Sequence, residues 1–284
     1  MKECMYYKKN NGKIECALCP HNCIISEGKT GICKQRKNID DKLYSLNYGK
    51  ISSIGIDNIE KKPLYNFMEG TKTFSLGSIG CNFSCKFCQN YRIAKEDPYY
   101  EEINPEEAVE TALKRKLPSI SFTYNEPTIW YEYVLETAKI AKSKGLKTIF
   151  VSNGFINQDP LKELLEYIDA FNIDLKAFNS NFYKDLCGGK VEPVLESIKE
   201  ISQKAHIEIT TLVIDGPNGN VEDMEDIFKW ISKLDDEIPL HLSRYFPAYM
   251  MKDPATKVET LVKLKEEGKK YLKNIYIGNV PGIK

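Results

Sequence analysis

The 284-residue chain lacks several features that would have pointed elsewhere. No apolar run approaches the roughly 18 residues a membrane span needs, and the start, MKECMYYKKNNGKIEC, has no apolar signal-peptide core. A cytoplasmic protein is therefore expected. No charge of one sign dominates: Lys+Arg and Asp+Glu number 40 each, so neither nucleic acid nor an anionic membrane is an expected partner. There is no G-x-x-x-x-G-K-[ST] loop, no G-x-G-x-x-G turn and no G-x-S-x-G elbow. These absences set aside P-loop nucleotide chemistry, Rossmann dinucleotide binding and the α/β-hydrolase nucleophile. Sequence repeats and low-complexity segments are also missing.

Cysteine, by contrast, is abundant, with nine residues in a chain of otherwise ordinary soluble composition. Reducing compartments disfavour disulfides. Seven of the nine fall into two groups, Cys16, Cys19, Cys23 and Cys33, then Cys81, Cys85 and Cys88, whereas Cys4 and Cys187 stand apart. Clustering at such short intervals argues for metal. Cys187, in DLCGG, reads as incidental because no nearby residue would activate it.

Residues 1–70 read as a loop-rich extension with too few periodic hydrophobics to hold a core of their own, organised instead by metal. From residue 71 to 284 strands alternate with helices. TFSLGSIG runs as a strand into the second cysteine group, followed by helix PEEAVETALKRK, strand SISFTY and a helix over Thr128–Lys144. KTIFVS, AFNIDL, HIEITTLVI, PLHLSRYF and NIYIGN continue as strands, with a last long helix from Pro254 to Tyr271. Such alternation predicts βαβ units, a parallel sheet and an α/β fold of the partial (β/α)6 TIM-like barrel type. Chemistry then belongs at the C-terminal strand ends. Polar residues gather there: Asn125 and Glu126 after the second strand, Asn153 after the third, Asp174 and Lys176 on one face of the fourth, and His241 in the sixth.

The stretch GCNFSCKFCQN spaces Cys81, Cys85 and Cys88 as C-x3-C-x2-C. Zinc and ordinary iron–sulfur sites want four protein ligands. Three thiols at a barrel mouth suit a cluster with one iron left open to an exogenous chelator. The other account is a structural zinc loop completed by a histidine, although His21, His206 and His241 all lie far from it in sequence. With Phe87 just before its last cysteine, the stretch resembles the radical SAM signature.

That resemblance implies a 4Fe–4S cluster on Cys81, Cys85 and Cys88, with S-adenosylmethionine on the open iron. Reductive cleavage of that cofactor then yields a 5′-deoxyadenosyl radical that abstracts hydrogen from a substrate. A reductant such as flavodoxin or ferredoxin is implied as a partner. TYNEPT is similar to the family's cofactor-amino-group motif, through Asn125 and Glu126, although Glu126 could equally cap the next helix. SNGF, with Asn153, IDLK, with Asp174 and Lys176, and HLSRYFP, with His241, resemble pocket segments of pyruvate formate-lyase-activating enzymes. Asp174 with Lys176 also reads as a plain ion pair, and His241 as a structural histidine.

The first group, C-x2-C-x3-C-x9-C over Cys16, Cys19, Cys23 and Cys33, is a complete set for either zinc or a second iron–sulfur cluster. CALCPHNC, GICKQR, YGKISS and IEKKPLYNF, joined to the cysteine loop, resemble the radical SAM protein of the AmmeMemoRadiSam system. Memo- or AMMECR-type proteins, or a glycyl radical enzyme, are thereby implied as protein partners. The competing class is a non-enzymatic iron–sulfur electron carrier or redox sensor, which would leave the polar strand ends unexplained.

Overall fold

The computed structural model describes residues 1–282. Residues 1–58 hold eight strands: β1 (Lys2–Glu3), β2 (Tyr7–Asn10), β3 (Lys13–Cys16), β4 (Ile24–Ile25), β5 (Arg36–Ile39), β6 (Lys42–Ser45), β7 (Lys50–Ile51) and β8 (Ser53–Asn58). The expectation of a loop-rich extension is corrected here. Most of these strands are two to four residues long, too short to show a period-2 pattern in sequence. They pair antiparallel as β2-β3-β4 and β1-β6-β5. Cys4, Ile14, Leu18, Ile25, Leu43 and Ile51 bury into the same hydrophobic cluster as the main sheet, so this segment needs no separate core.

The main body continues with β9 (Lys72–Gly77), α1 (Tyr91–Lys95), β10 (Glu101–Glu102), α2 (Pro105–Lys114), β11 (Ser119–Phe122), α3 (Tyr131–Ser143), β12 (Lys147–Ser152), α4 (Gln158–Leu164) and β13 (Ala170–Asp174). After it come α5 (Ser180–Phe182), α6 (Glu192–Ser202), β14 (His206–Val213), α7 (Val221–Leu234), β15 (Leu240–Arg244), α8 (Val258–Gly268) and β16 (Ile275–Gly278). One sheet of eight strands runs in the order β16-β15-β14-β13-β12-β11-β9-β8. The seven strands from β9 to β16 are mutually parallel, whereas β8 joins β9 antiparallel, Ile56 opposite Phe74. Because β8 and β9 lie on either side of residue 70, the expected boundary there cuts a strand pair. Among the described residues the sheet is open, with β8 and β16 as its two edges and no closed barrel.

Local chemistry sets the helix starts. Asn104 and Glu107 form a reciprocal capping box on α2, with Pro105 in its first turn. Asn220 caps α7. The last helix starts at Val258, not Pro254. Thr256 and Lys257 spend their amide N–H groups on Tyr245 O and Asp215 instead, which holds that stretch extended against the neighbouring strand ends. No helix among the described residues is long and apolar enough to cross a membrane.

Candidate active site

The loop after β9 is built by its neighbours. Asn125 accepts from Ser78 N and donates to Gly80 O, both at 2.9 Å, clamping the strand end to the start of the loop. From the other side, Ser84 N donates to Cys187 O at 2.7 Å and Lys86 N to Leu186 O at 2.9 Å. Gly188, at φ +71°, and Gly189 allow this approach: a Cβ on either would lie within 2.3 Å of the Ser84 hydroxyl or the Phe83 ring. The DLCGG segment is therefore a floor beneath the cysteine loop, and Cys187 is not incidental. Its buried thiol is the neighbour that most raises the Cys85 pKa. No local sequence signal marks this; the adjacent glycine pair was the available hint.

A cavity of about 790 Å³ opens at the C-terminal strand ends. Cys81, Cys85, Phe87 and Cys88 line it, and so do Asn125, Glu126, Asn153, Asp174, Lys176 and His241. All ten positions singled out from residue 81 onward therefore meet at one place. Cys81 Sγ accepts from Phe83 N at 3.3 Å and Asn153 Nδ2 lies 3.8 Å away. Burial pushes the Cys81 and Cys88 thiols up, and for Cys85 the neighbouring Cys187 thiol raises it most, with burial adding to that. These groups become thiolates at neutral pH only against bound positive charge.

Glu126 is buried and its carboxylate takes three donors: Thr128 N at 2.9 Å, Ser152 Oγ at 2.7 Å and Asn153 N at 2.8 Å. It does cap the turn at Pro127–Trp130, yet a carboxylate has about four acceptor positions, so one is left unfilled on a residue that lines the cavity. Burial raises its pKa. Lys176 Nζ donates to Asp174 at 2.8 Å, the ion pair expected of them, and lies 5.9 Å from the Phe87 ring centroid. Burial works against the Lys176 cation, but Asp174 and the adjacent Cys85 and Cys187 outweigh it and raise its pKa. His241 Nε2 sits 2.6 Å from the buried Glu208, which also meets His206 at 3.0 Å and accepts from the backbone of Tyr65 and Asn66. Burial would raise Glu208, but those hydrogen bonds win and hold it at about 2.

Sequence reading missed one further wall. Asp57, on β8, accepts from Lys62 Nζ and Tyr124 Oη, each at 2.6 Å, and all three line the cavity. The Lys62 ammonium also lies 4.4 Å from the Tyr124 ring centroid. Residues from the first segment thus complete the site. The four early cysteines do not reach it; Cys16, Cys19, Cys23 and Cys33 line a separate, small pocket.

The donor set fits a cluster better than a lone ion. Among the described residues, no three His, Cys, Asp or Glu side chains gather closely enough around one point to hold a single metal ion. An iron–sulfur cubane spreads its thiolates over separate irons, so wider spacing suits it.

Residues 76–231 match the radical SAM superfamily. An uncharacterized protein of Methanocaldococcus jannaschii is 44% identical over 99% of this chain and 86% of its own length. A putative glycyl-radical enzyme activating enzyme of the same organism is 29% identical over 71% of this chain and 78% of its own. Among solved structures, Streptococcus suis SuiB bound to S-adenosylmethionine shares the fold, with a TM-score of 0.60 at 16% identity over 79% of this chain and 54% of SuiB. An enzyme is thereby established and the non-enzymatic carrier set aside. With more than half its length matched by the family, the chain belongs to the radical SAM superfamily, whose members use a 4Fe–4S cluster and S-adenosylmethionine.

Proposed function

We propose that this enzyme abstracts a hydrogen atom from a polypeptide, a glycyl position of a partner protein, in the manner of an activating enzyme. When bound, the cluster and S-adenosylmethionine supply the radical that removes the hydrogen. Cys81, Cys85 and Cys88 would hold the cluster. The remaining acceptor position of Glu126 and the Lys176 ammonium offer charges opposite to those of the cofactor's amino and carboxylate groups. Asn153, Asp174, Phe87 and His241 complete the cofactor wall, and Asn125 positions the loop.

The observation that carries a polypeptide substrate is the apolar edge beside the cysteine loop. Phe246 and Met250 are exposed there, at 41% and 62%. Their segment is tied to the loop: Gln89 Nε2 donates to Phe246 O at 2.8 Å and Met250 N to Lys86 O at 3.0 Å. Exposed apolar side chains tied to the loop that lines the cavity suit contact with a protein surface. The relative named as a putative glycyl-radical enzyme activating enzyme supports the same reading. The joined N-terminal pattern supports the AmmeMemoRadiSam group, with Memo- or AMMECR-type partners, and nine free thiols support a reducing cytoplasm.

The test is anaerobic incubation of the reconstituted, reduced enzyme with S-adenosylmethionine and candidate glycyl radical enzymes from its host. A glycyl radical doublet in the electron paramagnetic resonance spectrum, with matching 5′-deoxyadenosine, is expected. Formation of 5′-deoxyadenosine without any protein-centred radical on any candidate would remove the glycyl reading.

A further inference from the structure

The early cysteines converge although they span two strands and two turns. Cys16 ends β3, and its N–H donates to Cys23 O at 2.9 Å, folding CALCPHNC back on itself. Gly31 N donates to Arg36 O at 2.9 Å, which returns Cys33 to the same place. All four cysteines line one pocket, with Leu18, Ile25 and Ile129 among its apolar walls.

Size discriminates between the metals this set could take. The pocket keeps about 10 Å³ of room for the centre of a water-sized sphere. A zinc ion with four thiolates sits about 2.3 Å from each sulfur, which leaves no such room. No three of these thiols gather around one point either. The same open spacing holds at Cys81, Cys85 and Cys88, where family membership places a 4Fe–4S cluster.

A second observation is electrostatic. Arg36 lines the pocket and is 1% exposed. Its terminal nitrogens bind Glu132 and Met5 O, but its Nε–H has no hydrogen-bond partner among the described residues. An unpaired buried donor on a cation is costly unless an anionic group meets it. The third observation is adjacency. His21, also in the pocket wall, has Nε2 2.8 Å from Asn82 O, and a Cβ on Gly80 would lie 3.1 Å from Cys33 O. The two cysteine loops are packed together.

We infer that Cys16, Cys19, Cys23 and Cys33 hold a second 4Fe–4S cluster, set against the loop that carries the first. It takes one electron from an external low-potential donor protein and passes that electron to the first cluster, returning to its oxidised form. This inference stands independently of which substrate the enzyme attacks.

The test counts metal and reads spectra rather than turnover. Reconstituted wild type should carry about eight iron and eight acid-labile sulfide per chain. A Cys81→Ala/Cys85→Ala/Cys88→Ala variant should keep about four of each with its circular dichroism unchanged. Reduced wild type should show two paramagnetic signals, broadened by each other, of which S-adenosylmethionine shifts only one. In a Cys19→Ser/Cys23→Ser variant, reduction of the remaining cluster by a ferredoxin-type donor should slow at least tenfold. About four iron and a single signal in wild type would overturn the inference, as would one tightly held zinc per chain. Should the triple variant not fold, the wild-type count and spectra decide alone. An unchanged reduction rate in the double variant would overturn the relay.

Discussion

Cys187 is joined to the cysteine loop twice: its carbonyl accepts from Ser84 N at 2.7 Å, and its buried thiol neighbours Cys85, whose pKa it raises. With Cys85 a cluster thiolate, the neighbouring Cys187 S–H is placed to donate to it, and such hydrogen bonds raise the reduction potential by favouring the more negative, reduced state. Replacing Cys187 by Ala should therefore lower the potential of the first cluster. A hydrogen bond of ~1 kcal/mol corresponds to roughly 40 mV for one electron. Potentiometric titration followed by electron paramagnetic resonance reads this, with iron content unchanged. An upward shift would assign Cys187 another role.

Gly189 is the tight point of the same floor. A Cβ there would come 2.2 Å from the Phe83 ring, and a ring packed against Phe155 and Tyr183 has little room to retreat. Gly189→Ala should destabilise the protein by about 1–3 kcal/mol through overpacking. Chemical denaturation should show a lower midpoint, and the reconstituted variant should lose iron from the first site faster.

One terminal nitrogen of Arg36 donates to both carboxylate oxygens of Glu132, at 2.6 and 2.9 Å, with 1% and 2% exposure, between the first segment and α3. Breaking such a pair leaves an uncompensated buried charge, costing about 3–5 kcal/mol. Glu132→Ala should reach that range in urea unfolding. An Arg36→Met/Glu132→Leu double variant should recover part of the loss.

Glu208 is held at about 2, below its ordinary value of 4.5, so it binds fewer protons when folded than when unfolded at intermediate pH. Its contribution, roughly 3 kcal/mol, is present above pH 4.5 and lost as pH falls toward 2. Acid unfolding of wild type should steepen across that window, whereas Glu208→Gln should be less stable at pH 7 and lose less between pH 4.5 and 2. Parallel curves for the two proteins would contradict the assignment.

The parts of this site legible in sequence were those with a local signature. Cys81, Cys85 and Cys88 are spaced as a motif; Asp174 and Lys176 share a face by period 2, and Asn125, Glu126, Asn153 and His241 are legible as polar residues at strand ends and by resemblance to family segments. Asp57, Lys62 and Cys187 carry no such mark, because antiparallel pairing of β8 and the turn after α5 bring them in over long sequence distances. Glu208 hid for another reason. In HIEITTLVI it is a lone charge in a buried strand, and its partners, two histidines and the backbone N–H groups of Tyr65 and Asn66, explain why it is tolerated. The early strands escaped because two to four residues cannot display a period.

The docking of the first segment also sets an order of events during synthesis. Arg36 finds its partner 96 residues later in the chain, and Lys2 finds Glu136 134 residues later. At about 5–20 residues per second, roughly 5–20 s pass between the emergence of Cys33 and the helix that anchors it. For that interval the first five thiols are on an undocked chain, open to oxidants and to any scavenged metal. A host that makes this protein successfully must keep its nascent chains reduced.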